Sequence, residues 1–365
     1  MADLTETETN HAGFIAVHVG AGLQSEARLP RYQETIKRAC LQGIRVLNNG
    51  KNASEAACIA VAVLEDCPLT NAGMGSNLTL DGNVECDASI MDEESYGAIG
   101  AVSGIKNPIT LAWALLHTQK QGLMEGGRIP PCFLVGDGAK QWAQQNGLPL
   151  IDNQQMKTEN STFMFEKYKR KLDENTSEST KKMKTDDVND TKRLDTVGAI
   201  VIDRNGNVAA AASSGGILLK HSGRVGHSAM FGCGCWAERK DDSCSIAVAS
   251  SGTGEFLMKS LFSKSISDAC IIDDLTPETV RNHINNIFLN RRMTPTNAEK
   301  YFGFILLKLI TNENQNRLVE FLCAHNTQTM FVGYMNTHQS KVTTLFSKLH
   351  SDDSLSINID SIPLT

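Results

Sequence analysis

The chain has 365 residues, of which 41% are hydrophobic and 21% are charged, with a formal net charge of −6. This length suffices for a large buried core, and so modest a charge gives no electrostatic reason to expect nucleic acid or a membrane as a partner. Residues 1–11 lack the apolar stretch of a secretory signal, and no apolar run is long enough to span a bilayer.

Ten cysteines in a chain that we expect to be intracellular are predicted to be buried thiols, not disulfides. Cys233 and Cys235 are the one close pair, and their spacing is too tight for a zinc knuckle. Neither this pair nor any other spacing predicts a metal or an organic cofactor.

The first half of the chain predicts a mixture of strands and helices. Unbroken apolar runs are typical of buried strands, and apolar residues three and four positions apart are typical of helices that bury one face. Asparagine, glycine and proline at the ends of these runs supply the expected caps and starts. In chain order the prediction is a strand over 14–19, helices over 32–47 and 52–67, tight turns over 71–92, a helix over 107–122, a short strand over 133–135 and a helix over 139–145.

The chain changes character at about residue 152. From 169 to 194 there is no aromatic residue, glycine or proline, and about half of the residues are charged. Such a segment buries too little apolar surface to offset the entropy of ordering it, so we expect a flexible loop over about 152–195. Three basic clusters, at 167–171, 181–184 and 192–193, fit either a nuclear-import signal or a solvated charged linker.

Thr196 stands where this polar segment ends and an apolar, β-branched strand over 197–202 begins, and it directly follows Asp195. If the peptide bond between them were cut, Thr196 would carry a hydroxyl nucleophile and a free α-amine on one residue. N-terminal-threonine enzymes use that pairing. The alternative is an ordinary threonine at the start of a strand, where threonine is a favoured residue.

The second half of the chain is predicted to be rich in strands and glycine turns. The Asn205-Gly206 step between two apolar runs is a strong hairpin signal. In chain order the prediction is a hairpin of strands over 197–202 and 208–212, turns over 213–216 and 223–227, a strand over 246–249, a turn over 250–255 that leads into a helix, and strands over 303–310 and 318–334, the last broken near 325–327.

These turns, taken together, resemble the N-terminal-nucleophile hydrolases of the asparaginase–glycosylasparaginase family. The matching stretches are Thr196-Val197-Gly198, Ser213-Ser214-Gly215-Gly216, Gly223-Arg224-Val225-Gly226-His227 and Ser251-Gly252-Thr253-Gly254-Glu255. The resemblance implies an α/β chain of one domain over 1–365, folded as a four-layer αββα sandwich. It also implies self-cleavage between Asp195 and Thr196 into an α subunit over 1–195 and a β subunit over 196–365.

Positions within these motifs imply a role for each site residue. Thr196 would be the nucleophile, its freed α-amine the general base, and the Asp195 carbonyl the first group attacked. Ser214 would bond to the nucleophile, Ser251 and Gly252 would supply oxyanion donors, Asn71 would lie beside Thr196, and Arg224, His227 and Gly254 would bind substrate. Serine replaces the family's threonine at 214 and 251. His325 is expected to satisfy hydrogen bonds at a strand end instead of catalysing.

Several longer stretches resemble more closely the threonine aspartases, the branch of this family that cleaves proteins after aspartate; they are 71–77, 103–108, 127–136 and 232–238. The family motif also has aspartate where this chain has His227, and in asparaginases that carboxylate pairs with the α-ammonium of the free amino acid. We therefore expect an endopeptidase acting at an internal aspartate, with an L-asparaginase or isoaspartyl peptidase as the alternative. Val19 is a second departure, because related enzymes have glycine there.

The expected partners are protein substrates and the two subunits themselves, as an αβ heterodimer or a pair of heterodimers. The basic clusters add a nuclear-import receptor and predict a protein that is both nuclear and cytoplasmic. A non-enzymatic interaction protein with an exposed binding loop is a further alternative. It does not explain why so many glycine turns surround one threonine.

Overall fold

Two stacked β-sheets form the centre of the computed structural model, which describes residues 11–177, 195–291, 299–350 and 353–364. The strands are β1 (Phe14–Gly22), β2 (Cys86–Asp92), β3 (Tyr96–Val102), β4 (Phe133–Val135), β5 (Val197–Ile202), β6 (Val208–Ser214), β7 (Cys235–Asp241), β8 (Cys244–Gly252), β9 (Phe302–Thr311), β10 (Arg317–His325), β11 (Thr329–Asn336), β12 (Thr343–Lys348) and β13 (Ser356–Pro363). The larger sheet has the order β12-β11-β1-β5-β6-β2-β3-β4, and the smaller has the order β13-β10-β9-β8-β7.

Helices cover the outer face of each sheet. They are α1 (Leu29–Asn48), α2 (Ala53–Glu65), α3 (Pro108–Lys120), α4 (Gly136–Gln145), α5 (Glu159–Ser177), α6 (Gly254–Ser260), α7 (Phe262–Cys270) and α8 (Pro277–Ile284), followed by a π-helical turn at Asn285–Leu289. Single 3₁₀ turns lie at Glu26–Arg28, Gly73–Gly75, Glu125–Gly127, Asn153–Met156 and His227–Ala229. Helices α1 to α4 contact the larger sheet, and α7 and α8 contact the smaller one. The predicted four-layer αββα sandwich is confirmed.

Strand β1 shows why the central strands are apolar without interruption. Successive side chains on a strand point to opposite faces, and this strand is covered on both. Ile15 and Val17 belong to the core under the helices, whereas Phe14 and Ala16 belong to the core between the sheets. The hairpin of β5 and β6 follows the same rule, which is why its apolar pattern could be recognised in the sequence.

The start of α2 follows the predicted cap. The Asn52 side-chain oxygen accepts a hydrogen bond of 2.9 Å from the Glu55 backbone N–H, which satisfies one of the unpaired donors at the helix start. No helix in the described part of the chain combines the length and the apolar character that crossing a bilayer requires.

The expectation of a flexible loop over about 152–195 is wrong for its first part, because α5 occupies Glu159–Ser177. Met156 and Tyr168 are buried, and the Lys169 ammonium donates a 2.7 Å hydrogen bond to the Leu80 carbonyl. Met156, Tyr168 and Lys169 lie at or before the start of the charged segment over 169–194, so the expected loop began too early in the chain. Residues 178–194 lie outside the described residues, and the flexible loop stays a prediction there.

The tight turns expected over 71–92 are also wrong at their end, where Cys86–Asp92 forms the central strand β2. Two of its polar side chains are fully buried but satisfied by distant partners. Asp87 accepts a hydrogen bond from the Ala101 N–H, and the Ser89 hydroxyl donates to the Ser228 carbonyl. Buried polar residues are tolerated only when they are hydrogen-bonded. The sequence does not show these distant partners, so the polar residues favoured turns over a central strand.

Candidate active site

Thr196 lies at one end of the two sheets, directly before β5. Because Val197 pairs with Ser213 in the hairpin register, Thr196 faces Ser214 at the end of β6. The Thr196 hydroxyl donates a hydrogen bond of 3.2 Å to Ser214 Oγ, and both residues are buried. The structure therefore brings together the predicted nucleophile and its predicted hydroxyl partner.

Seven of the predicted site residues line one cavity at this end of the sheets. They are Asn71, Thr196, Ser214, Arg224, His227, Gly252 and Gly254. Asp195 lines an adjoining cavity that it shares with Asn71. The motifs are separated by up to about half the chain in sequence, and the ends of β6 and β8 carry two of them to one place.

Asn71 shapes the turn that follows Ser214. Its side-chain amide donates to the Gly216 carbonyl at 2.7 Å, and its backbone carbonyl accepts from the Gly215 N–H at 2.7 Å. The Gly216 N–H in turn donates to Ser214 Oγ at 3.0 Å. Asn71 thus lies beside Thr196, as predicted, and its contacts fix the hydroxyl that Thr196 meets.

Ser251 and Gly252 end β8 on the smaller sheet. The fully buried Ser251 hydroxyl accepts a 3.3 Å hydrogen bond from the Ala21 N–H, which ties it to the end of β1. Gly252 has φ +150°, and a Cβ there would come within 2.4 Å of the Tyr301 carbonyl oxygen. Only glycine fits this position, which leaves its backbone facing the cavity.

Gly20 packs directly against the bond that would be cut. It has φ +108°, and a Cβ added there would lie 2.4 Å from the Asp195 Cα and 2.9 Å from the Asp195 carbonyl carbon. The preceding Val19 points the other way, into the core under the helices. The Val19 side chain therefore belongs to that core and not to the site side of β1.

His18 is a site residue that the sequence interpretation missed. It is fully buried on the same side of β1 as Gly20, whose N–H donates to His18 Nδ1 at 3.3 Å. Burial, aided by repulsion from His227 when that ring is protonated, lowers the pKa of His18 to about 3, and the Thr196 backbone carbonyl opposes this shift. The imidazole is thus neutral beside Thr196. A histidine inside an apolar strand and next to a glycine turn was the available signal.

Arg224 carries the positive charge of the cavity. Its Nε and Nη2 atoms both donate to Glu255 Oε1, at 3.0 and 2.7 Å. Burial raises the pKa of Glu255, but the guanidinium more than offsets this effect and the net pKa is lowered. An arginine held in this way is oriented, and its fork suits a carboxylate ligand.

His227 is buried beside Arg224. Its Nε2 atom lies 3.3 Å from the Ser250 carbonyl oxygen, and burial lowers its pKa to about 4. A Cβ at Gly254 would lie 3.0 Å from Arg224 Nη2 and 3.2 Å from His227 Nδ1, so the three predicted substrate-binding residues meet at one point. At neutral pH this part of the cavity offers one cation and one neutral imidazole.

His325 and the cysteines lie outside this cavity. His325 Nδ1 lies 2.9 Å from the Thr327 carbonyl and its Nε2 lies 2.8 Å from Ser347 Oγ, which confirms a structural role at the end of β10. All ten cysteines lie in the described part of the chain and are free thiols, and eight of them are buried. Within the described ranges, no group of three histidine, cysteine or acidic side chains could hold a metal ion.

Glu65 lies behind the site at the end of α2. One of its carboxyl oxygens accepts from the Ser213 hydroxyl at 2.6 Å and from the Ile109 N–H at 3.0 Å. Burial raises the pKa of Glu65 to about 8, against the opposing effect of these hydrogen bonds. The carboxyl group is therefore mostly neutral at pH 7 and holds the strand that leads into Ser214.

A Glu65→Gln variant is expected to flatten the pH dependence of stability between pH 5 and 8. The native state keeps a proton that the unfolded chain releases above pH 4.5, so the Glu65 contribution falls as pH rises, by up to about 1.4 kcal/mol per pH unit, until it levels off near pH 8. Thermal unfolding of both proteins at several pH values measures the difference, in which the buried histidines cancel. Parallel curves would contradict a neutral Glu65.

A buried threonine that precedes a strand, meets a hydroxyl partner and faces a glycine-lined cavity in an αββα sandwich defines the class: a layered hydrolase of the N-terminal-nucleophile type. The sequence matches the asparaginase family over residues 11–344, and the chain belongs to that family.

Relatives of known description support this family assignment. The chain is 40% identical over 248 residues to the isoaspartyl peptidase/L-asparaginase of Homo sapiens and 39% identical over 248 residues to that of Bos taurus; each match covers 67% of this chain and 72% of the relative. It is 33% identical over 258 residues to the isoaspartyl peptidase of Escherichia coli (strain K12), covering 68% and 73%.

Proposed function

We propose that this protein is a threonine-type endopeptidase of the threonine aspartase kind. It hydrolyses protein substrates after an internal aspartate, and it becomes active when Thr196 splits its own chain after Asp195. The observation that carries the specificity is His227, a buried neutral imidazole in the position where the asparaginase motif has aspartate.

Self-cleavage needs few groups in the uncut chain. The Thr196 hydroxyl loses its proton and attacks the Asp195 carbonyl carbon; the C–N bond breaks, the nitrogen takes up a proton, and an ester links Asp195 to the threonine oxygen. Water then hydrolyses this ester and leaves a free α-amine on Thr196. The contact of Ser214 with the hydroxyl orients the attack, and the approach of Gly20 to Asp195 leaves the scissile carbonyl little freedom.

Cleavage of a substrate uses the same atoms. The freed α-amine has an unperturbed pKa near ~8, lower if it is desolvated, so it accepts the hydroxyl proton near neutral pH. Thr196 Oγ then attacks the backbone carbonyl carbon of the substrate aspartate, the C–N bond to the next residue breaks, and the proton passes to the leaving amine. Water hydrolyses the resulting ester, which releases the product ending in aspartate and restores the Thr196 hydroxyl. Gly252 lines the cavity, and its N–H is the proposed donor to the developing oxyanion.

Arg224 and His227 together favour a peptide over a free amino acid. The Arg224 fork is proposed to bind the aspartate side-chain carboxylate. A free amino acid would also bring an α-ammonium, for which a neutral His227 provides no counter-ion. The corresponding nitrogen of an internal aspartyl residue is an uncharged amide, so a peptide loses nothing by the replacement.

The second candidate is an isoaspartyl peptidase or L-asparaginase. The relatives favour it, because they are isoaspartyl peptidases and L-asparaginases, and the arrangement around Thr196 would serve either reaction. In that case Arg224 would bind the α-carboxylate of the substrate, and another group would have to accept its α-ammonium.

Hydrolysis of asparagine and of an internal aspartyl peptide by the processed protein separates these candidates. We expect cleavage after aspartate with a kcat/KM at least about 100-fold above that for ammonia release from asparagine, since an ammonium without a counter-ion costs several kcal/mol. A matched peptide with asparagine in place of aspartate is the control and should resist cleavage. Robust ammonia release without peptide cleavage would contradict the endopeptidase and favour the second candidate.

The strand order favours an αβ heterodimer after cleavage. Strands β1 to β4 precede the cut and β5 to β13 follow it, yet β5 pairs with β1 and β6 pairs with β2 in the larger sheet. The two fragments would therefore share one sheet and one core, and we propose that they stay associated. Pairing of two heterodimers is proposed from family resemblance alone.

We also propose nuclear import through the basic clusters at 181–184 and 192–193, which lie outside the described residues. The cluster at 167–171 is on α5, where the Lys169 ammonium is bonded to the Leu80 carbonyl and Tyr168 is buried. That cluster is therefore partly engaged with the domain, so we assign the import signal to the other two clusters.

A further inference from the structure

Asp87 is a fully buried carboxylate that the proposed mechanism does not use. It lies on β2 opposite Ser214 in the sheet register. Its Oδ1 atom accepts a 2.8 Å hydrogen bond from the Ala101 N–H, and its Oδ2 atom accepts a 2.8 Å hydrogen bond from the Gly226 N–H. Gly226 stands between Arg224 and His227, so the carboxylate is attached directly to the substrate-binding loop.

The same loop is attached to neighbouring residues at two more points. The buried Lys220 ammonium donates to the Glu85 backbone carbonyl at 2.6 Å, and the Gly223 N–H donates to Glu85 Oε2 at 2.8 Å. Both accepting groups belong to Glu85, which precedes Asp87 by two residues. The segment at the start of β2 therefore binds the loop at several points along its length.

Electrostatic interactions stabilise this arrangement in addition to the hydrogen bonds. Burial raises the pKa of Asp87, and the Lys220 ammonium, the two backbone N–H groups and the Arg224 guanidinium all oppose that shift. One of the two cations facing the buried carboxylate is therefore the arginine proposed to bind substrate. A change at Asp87 reaches Arg224 both through the Gly226 backbone and through the electric field.

We propose that Asp87 is a positioning residue that sets the place of Arg224 for the substrate carboxylate. This inference rests on the role given to Arg224 under the proposed function. It adds that the fragment before the cut determines specificity in the fragment after it, because Asp87 and Arg224 would then belong to different polypeptides.

The Asp87→Asn variant tests the proposal, because asparagine has nearly the same shape as aspartate and carries no charge. An amide has one accepting oxygen where the carboxylate has two, so one of the two backbone N–H groups loses its partner and meets an NH₂ group. We expect KM for the aspartyl peptide to rise about tenfold or more with kcat within about twofold, as for the loss of one hydrogen bond to a charged group. A purely structural role would lower stability and leave KM unchanged.

Asp92→Asn is the matched control. Asp92 is a buried carboxylate at the other end of the same strand, and it also accepts backbone hydrogen bonds, from Glu94 and Ser95. Its variant should keep the wild-type KM. Equal KM values for Asp87→Asn and wild type, or equal increases in the two variants, would overturn the proposal.

A double-mutant cycle with Arg224→Gln shows whether Asp87 acts through the arginine. In that background Asp87→Asn should raise KM by less than about twofold, because no fork remains to be positioned. A full additional increase would show an independent effect and overturn the proposal. If Asp87→Asn does not fold, Glu85→Ala can be used instead, because it removes the carboxylate that accepts from the Gly223 N–H. KM should then rise about threefold. An unchanged KM in this variant would overturn the proposal.

Failure of the proposed function can be told apart from failure of this inference. If the wild-type protein hydrolyses asparagine and not the peptide, the endopeptidase is excluded, but Arg224 still has a substrate carboxylate to bind. The same variants are then compared by their KM for asparagine. A KM for asparagine that rises in Asp87→Asn and not in Asp92→Asn supports the positioning role. An unchanged KM in Asp87→Asn rejects the positioning role.

Discussion

A Thr196→Val variant is expected to stay a single chain and to lose at least about 10⁴-fold in kcat/KM on any substrate that the wild type hydrolyses. Valine keeps the branched shape in this buried position and removes only the hydroxyl, so neither self-cleavage nor substrate attack has a nucleophile. Gel electrophoresis reports the chain and a peptide-cleavage assay reports the activity. The fold should survive, because among the described residues this hydroxyl gives up a single hydrogen bond, the 3.2 Å contact with Ser214.

Thr196→Ser is the informative companion variant. Serine retains both the hydroxyl and, after cleavage, the α-amine, but it lacks the methyl group that restricts χ1. It should therefore split and hydrolyse more slowly than wild type without being inactive. Undiminished hydrolysis by the valine variant would show that another residue is the nucleophile.

Arg224→Gln is expected to reduce kcat/KM for the aspartyl peptide by about 30-fold or more, because losing one partner of a buried charged pair costs roughly 2–5 kcal/mol. Most of the effect should fall on KM if the guanidinium binds ground and transition states alike. Steady-state kinetics measure the split. Arg224→Lys should recover little, because an ammonium keeps the charge and loses the two-pronged geometry.

Arg239 offers a control for the loss of an arginine as such. It pairs with Glu93 through Nε at 2.8 Å and Nη2 at 3.2 Å, which resembles the pair of Arg224 with Glu255. Arg239 lies on β7 and does not line the site cavity. Arg239→Gln should leave KM unchanged, so a similar loss in both variants would contradict substrate binding by Arg224.

Local sequence signals were sufficient for the part of the site that is built from turns. The Asn205-Gly206 hairpin fixes the register that places Thr196 opposite Ser214, and the glycine turns after β6 and β8 mark where the chain reaches the cavity. Such signals act over a few residues, so composition and spacing show them. The apolar strands could be recognised for the same reason.

Local sequence signals do not indicate contacts between distant segments of the chain. Asp87 is bonded to Gly226, and Glu65 to Ser213, across more than a hundred residues each. Both side chains look like surface polar residues until the fold pairs them inside. The sequence analysis missed helix α5 because the helix is anchored by Tyr168, which is buried only in the tertiary structure. The composition of the helix itself does not indicate this contact.

The mass and N-terminal sequence of the purified, active wild-type protein test the central claim most directly. Two polypeptides are expected, covering residues 1–195 and 196–365, and the second should begin with Thr196. An intact 365-residue chain that hydrolyses substrate at full rate would contradict the assignment of Thr196 as an N-terminal nucleophile.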